Sequence, residues 1–377
     1  MVTFISPKNK KNRARRSSMK NNTLTLNELF NHPDVRKTTG PQDMERIEAV
    51  LEKESNAPKE PVFIRALLGL GAWVAAIFLT IFSYEMEKSS TGAIIFGCAF
   101  MGAGIILSRI HRAVFLQQLA LALAFAGNLL ILYGVGEKCD RFHEIVPVLV
   151  LTHAALCLLV YPLLQNSIYR FLAPIGLTIL LIVWIVDEKA FDWIHVLIAA
   201  EAVLTGVLFL KNRVPQFFKP LAYAAAFMLP STLLFWNLYQ TAEFSDIFLG
   251  RNHIEPLWPA TLFLAGGLIY IYFHLSGGLS RIAKPWMILA LGATIFLGIF
   301  STPGILVVIG LLVLGYSLDE WILTWLAYVF LPVFLIVFYY NLQISLEYKS
   351  YIIMGSGLIL LGVRWIAGRL MPKEVVR

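Results

Sequence analysis

Two ionisable residues sit where chemistry would be expensive to maintain. Glu201 lies near the middle of WIHVLIAAEAVLTGVLFL, and His153 near the middle of IVPVLVLTHAALCLLVYPLL. An ionised side chain surrounded by such sequence must be protonated, paired, or turned to a polar cavity, and it is a functional candidate by default. Histidine changes charge near neutrality and both donates and accepts hydrogen bonds, so His153 is a candidate partner for Glu201. If their helices touch, the two form a minimal proton-responsive pair. The plain alternative is that each makes one interhelical hydrogen bond and only fixes packing. Asn128, beside Gly127, reads as packing of that kind.

A second polar cluster lies in YYNLQISLEYKSYIIMGSGLILLGVRW, Tyr339 to Trp365. Its tyrosine pair, Glu347, Lys349 and Arg364 resemble a catalytic cluster until depth is considered. Tyr339 and Tyr340 close one apolar run at the level where amphipathic rings favour the headgroups. Lys349 opens the next run, and Arg364 follows at a helical rise of about 22 Å. The two bases therefore bracket one helix from opposite faces of a membrane, with snorkelling covering the remainder. All four read as helix anchors.

The elements that carry these residues follow from composition. The chain has 377 residues, 58% hydrophobic and 15% charged, with mean hydropathy +0.70. A soluble domain carries about 25% charge, so the deficit points to lipid as the solvent. The net charge of +7 is concentrated in the N-terminal tail and in short connections. That placement is topological, not a nucleic-acid stripe. Cys98, Cys139 and Cys157 form no Cys-x-x-Cys, so a disulfide framework or thiolate metal site is not expected.

Apolar runs long enough to cross a hydrocarbon core of about 30 Å recur along the chain. The expected spans are 63–83, 91–108, 114–134, 145–163, 168–186, 193–210, 217–237, 257–274, 285–300, 303–317, 321–340 and 350–368. The fold class is therefore an all-α polytopic transmembrane bundle of about twelve spans. The runs 285–300 and 303–317 are short, and a re-entrant hairpin is the alternative to two crossings. Basic residues such as Arg109, Arg170, Lys211 and Lys219 alternate with acidic loops such as Asp187-Glu188. The positive-inside rule then places both termini in the cytoplasm. One connection, Ser317-Leu-Asp-Glu320, faces inside with two acids and no base. Pro230 kinks the seventh span, and the hydroxyls of Ser231 and Thr232 stand ready to repair the break.

Residues 1–60 form a polar, partly disordered cytoplasmic tail ahead of an integral membrane domain over 61–377. Met44, Ile47, Val50 and Leu51 give the tail one short amphipathic helix. No cleavable signal is expected, and Met19 reads as an alternative start, so residues 1–18 need not belong to the mature chain. No metalloprotease, phosphate-loop, dinucleotide or nucleophile-elbow motif occurs. No catalytic residue, metal ligand or cofactor is assigned, and an enzymatic role is the least supported.

Residues Pro303-Gly304, Leu314-Gly315-Tyr316, Tyr339-Tyr340, Lys349-Ser350 and Arg364 form an ordered series along the C-terminal third. Together with FIRALLGLGAWVAAIFL from Phe63, they resemble the bacterial domain-of-unknown-function family 4401. The Ser317–Glu320 turn departs from the pattern, which tends to be Gly-rich and basic there. The resemblance implies an integral inner-membrane protein of bacteria, often found with a second membrane protein, and supplies no catalytic residues. Three functions stay open. One is a transporter-like protein with a proton-responsive site. Another is a non-catalytic scaffold, sensor or partner subunit of an envelope complex. The third is a membrane-embedded enzyme. The expected surroundings are the lipid bilayer and another membrane protein, with no nucleic acid.

Overall fold

The computed structural model describes residues 62–86, 88–110, 114–139, 142–211, 215–240, 257–276, 285–341, 350, 351 and 354. The N-terminal tail, where an amphipathic helix is expected, and the twelfth span apart from residues 350, 351 and 354, with Lys349 and Arg364, lie outside the described residues. Phe63–Lys349 form one compact unit. Of the second unit, Met1–Val62 with Ser350–Arg377, the described residues are Val62, Ser350, Tyr351 and Met354, all helical.

Every regular element described is a helix: α1 Val62–Met86, α2 Ser90–Ile110, α3 Val114–Gly136, α4 Phe142–Leu163, α5 Ser167–Asp187, α6 Trp193–Leu210, α7 Lys219–Tyr239, α8 Trp258–Ser276, α9 Pro285–Phe300, α10 Pro303–Leu318 and α11 Trp321–Asn341. The protein is an all-α multi-pass membrane bundle. Nine of these helices are long and apolar enough to cross a bilayer. In α9 and α10, 16 residues each give a helix of about 24 Å. The two differ in setting. Ten of the α10 residues are buried, from Pro303 to Gly315, so protein covers much of it. The side chains of Ile288, Leu289, Ile295, Phe296, Ile299 and Phe300 on α9 are exposed. An exposed apolar face of that kind suits lipid.

Helix ends follow local chemistry. Prolines start α9 and α10, where a missing N–H costs nothing. Asn166 caps α5, its side-chain oxygen accepting from the Ile168 N–H at 2.8 Å and the Tyr169 N–H at 3.3 Å. The end of α4 is held by two bases. Arg109 donates to the Leu163 carbonyl at 3.3 Å, and Arg170 Nε to the Tyr161 carbonyl at 2.9 Å. The Arg170 guanidinium also lies 4.4 Å from the Phe217 ring centre. Both bases thus satisfy carbonyls at the negative end of a helix.

Packing follows residue size. Helices α2 and α3 meet backbone to backbone. A Cβ on Gly127 would lie 2.6 Å from the Gly97 carbonyl oxygen, and one on Gly97 would lie 2.9 Å from that of Gly127. Gly104 and Gly134 meet the partner helix as closely. Small residues are how membrane helices approach without a hydrophobic drive between them. Among the described helices, α7 has the largest number of buried residues, 13. It packs on α5, α6, α10 and α11. The main apolar core lies around it, with Ile198, Leu233, Trp236, Leu264, Val308, Leu311 and Phe334 among its members.

Candidate functional site

Glu201 occupies the middle of α6 and is 6% exposed. Its helix is apolar on all sides, so the sequence periodicity marks no core-facing stripe. The antiparallel packing of α6 on α7 decides its neighbour. The Thr232 hydroxyl of α7 donates to Glu201 Oε1 at 3.0 Å. The second oxygen, Oε2, is buried and has no hydrogen-bond partner in the protein. The Thr205 hydroxyl, one turn along α6, is used up on the Glu201 backbone carbonyl at 2.8 Å.

Thr232 lies two residues beyond Pro230, and the repair expected of its hydroxyl does not occur. Ser231 bonds back to the Phe227 carbonyl at 2.7 Å, while the Thr232 hydroxyl crosses to Glu201. The carbonyl that Pro230 frees is that of Ala226, four residues before it, and neither hydroxyl bonds to it. On the next turn of α7, Trp236 is 1% exposed. Its ring centre lies 5.7 Å from that of Phe191 and 5.4 Å from that of Tyr239. Its indole Nε1 has no partner either.

His153 is built differently. It sits in the middle of α4, 6% exposed, against α3 and α5. Its Nε2 is 3.0 Å from the Ala173 carbonyl oxygen, and its Nδ1 is 3.1 Å from the Asn128 amide oxygen, Oδ1. The carbonyl only accepts, so Nε2 carries a hydrogen. The amide of Asn128 also meets the Tyr169 hydroxyl at 3.3 Å. Either end of an amide can face the ring. With nitrogen toward Nδ1, a neutral imidazole is fully satisfied, and the Tyr169 hydroxyl donates to the amide oxygen. Gly176 makes room for the ring, since a Cβ there would lie 3.0 Å from Nε2. The Cys157 thiol donates to the same Ala173 carbonyl at 3.5 Å. Asn128, read from the sequence as packing, is the hub of this three-helix joint.

The structure does not join Glu201 to His153. Glu201 is bonded to α7, and His153 to α3 and α5, so the pair expected from their shared depth is two separate sites. Depth is legible from a hydropathy run, whereas the neighbour of a helix depends on which bundle closes. Of the expected anchors, Tyr339 and Tyr340 lie at the end of α11, their rings edge to face at 5.7 Å. The Tyr340 side chain is 73% exposed.

A family model described as Domain of unknown function (DUF4401) matches residues 61–370, which is most of the membrane part. The chain belongs to the DUF4401 family. No curated protein and no solved structure matches it. Three of the positions that carry the DUF4401 resemblance, Gly304, Gly315 and Tyr316, have packing reasons. The Phe334 ring presses against Gly304 so closely that a side chain there has no room. A Cβ on Gly315 would lie 2.9 Å from the Thr324 N–H nitrogen. The hydroxyls of Tyr316 and Tyr328 bond to each other, linking α10 to α11. The turn that departs from the pattern also has a role. Asp319 ends α10 in the left-handed conformation, φ 60°. Glu320 Oε2 accepts from the Tyr223 hydroxyl of α7 at 2.9 Å. No role for this turn is legible in the sequence, because the partner of Glu320 is 97 residues away.

Proposed function

We propose that this DUF4401 member is a bacterial inner-membrane protein of twelve spans with both ends in the cytoplasm, transporter-like in function, with Glu201 as its proton-responsive group. One observation carries the reading: a carboxyl group in mid-bundle with one oxygen bonded across to α7 and the other oxygen unpartnered. A structural carboxylate at this depth would have all its lone pairs engaged, because an unmet charge in low dielectric is costly. A half-engaged one changes its needs when it gains or loses a proton. The ionised form seeks another donor or a cation, and the protonated form seeks an acceptor. Either demand falls on α7, whose interior Pro230 already removes one backbone hydrogen bond. Proton exchange at Glu201 is thereby coupled to how α6 sits on α7, and a shift between two such arrangements is what alternating access requires.

His153 plays no such part in this reading. Its contacts with Asn128 and Ala173 satisfy it where it is, and it holds α3, α4 and α5 together. That fully engaged joint favours the second reading, a non-transporting scaffold or partner subunit of an envelope complex, in which every buried polar group serves packing.

The two readings separate by complementation of a deletion strain. Glu201→Gln keeps the shape and a hydrogen-bonding oxygen for Thr232 but cannot exchange a proton. With membrane abundance matched to wild type, the transporter reading expects this variant to leave the deletion phenotype uncorrected. Full correction would remove the proton role and favour the scaffold, as would a stoichiometric membrane partner whose capture is indifferent to the substitution.

A further inference from the structure

Thr232, Trp236 and Gln240 are four residues apart along α7 and therefore share one face. At one end of that face, Thr232 holds Glu201. At the other, Asn237 and Gln240 line a cavity of about 590 Å³. Its remaining walls come from Trp258 and Thr261 of α8 and from Ser301 and Thr302 in the α9–α10 turn. This volume lies within the range of small-molecule sites. The polar groups in its lining are amides, hydroxyls and one indole, with no charged side chain among the lining residues.

Three buried polar atoms fall along this line with no partner in the protein: Glu201 Oε2, Trp236 Nε1 and Thr302 Oγ1. Buried polar groups are normally met by protein or by ordered water, so each such orphan calls for an explanation. Elsewhere in the bundle the buried Asn128, His153 and Thr205 are bonded. A further orphan, Ser317 Oγ at the far end of α10, lies off this line; the other three run from Glu201 to the cavity lining. Thr232 and Trp236 are separated by a rise of about 6 Å, and Asn237 begins the cavity wall about 1.5 Å farther on. Along the axis of α7, Trp236 therefore lies between Thr232 and the first residue of the cavity wall, and is not itself part of the lining.

We propose that this cavity is the aqueous mouth of the Glu201 site, a vestibule that takes water and the protons it carries, with Trp236 on the stretch of α7 between it and the carboxyl. The proposal deepens the reading of Glu201 as a proton-responsive group and rests on it for its purpose. Under the twelve-span topology the vestibule opens on the outer face. Its amides and hydroxyls hold water without binding ions. The unpartnered indole N–H supplies a donor to whatever passes between the cavity and the carboxyl.

The test compares two carbodiimides on the full-length protein in lipid vesicles, with labelling of the Glu201 peptide read by mass spectrometry. One reagent is water-soluble and is used with glycine ethyl ester, and the other, dicyclohexylcarbodiimide, is lipid-soluble. Glu201→Gln identifies the labelled position. The expected result is that both reagents modify Glu201. Ser301→Trp, which fills the mouth, should slow the water-soluble reaction about ten-fold and leave the lipid-soluble one unchanged. Thr261→Phe fills the opposite wall and should do the same, so the test survives misfolding of either variant. Labelling by the lipid-soluble reagent alone, or water-soluble rates in both filled variants equal to that of the wild type, would overturn the vestibule. If Glu201→Gln abolishes function while the water-soluble reagent never reaches the site, the route is wrong and the role of Glu201 stands.

Discussion

The Glu201 carboxyl and the His153 ring have the same depth and the same burial, yet their surroundings assign them different work. His153 has an acceptor for one nitrogen and an amide for the other, whereas Glu201 has one donor and one bare oxygen. This contrast can be measured through stability. Thr232→Val keeps the side-chain volume but leaves Glu201 without its donor, and it should lower the unfolding midpoint in detergent by an amount equal to about 1–2 kcal/mol. Glu201→Gln should leave that midpoint unchanged or raise it, since a neutral amide needs less from its surroundings. A larger loss for Glu201→Gln than for Thr232→Val would show that the carboxyl is structural. Asn128→Leu removes the shared hub of Tyr169 and His153, and should cost about 1–3 kcal/mol by the same assay, because two buried partners lose their bonds at once.

Among the helices, glycine separates packing from chain flexibility. Gly127 and Gly102 lie on adjacent helices, but only Gly127 has a neighbouring backbone within reach of a new Cβ. Gly127→Ala should therefore push α2 from α3 and reduce both membrane abundance and melting temperature. Gly102→Ala meets nothing within 4 Å, and should be neutral or stabilising by about 0.5–1 kcal/mol, as helix propensity alone dictates. Equal effects would deny the close contact of α2 and α3. The helices themselves were largely legible in the sequence. The runs 193–210 and 285–300 match α6 and α9 residue for residue, because Asp192, Lys211, Pro285 and the Ser301-Thr-Pro-Gly304 turn bound them sharply. Others run one to three residues past the apolar window. In α1, for example, the helix continues through Tyr84-Glu-Met86. The partners were not legible. A helix that is apolar on every side carries no mark of which face meets which neighbour, so Thr232 for Glu201, Tyr169 for Asn128 and Tyr223 for Glu320 appear only once the bundle is assembled.

In the whole molecule, a polytopic helical bundle holds a half-satisfied carboxyl of α6 against α7, and the proposed topology puts both ends inside. The topology has its own check. A cysteine placed at Ser301 should react with a membrane-impermeant maleimide from outside intact cells, and one placed at Asp319 only after permeabilisation, if α9 and α10 both cross. Reaction of both from the same side would make α10 re-entrant. The central claim is that Glu201 exchanges protons in the service of transport. Its most direct measurement is proton movement into vesicles holding the purified protein, followed by a lumenal pH dye under an imposed membrane potential, with a small-molecule extract of bacterial culture outside. The account predicts protein-dependent acidification that Glu201→Gln abolishes at equal reconstitution. Identical traces for wild type, Glu201→Gln and protein-free vesicles would contradict it.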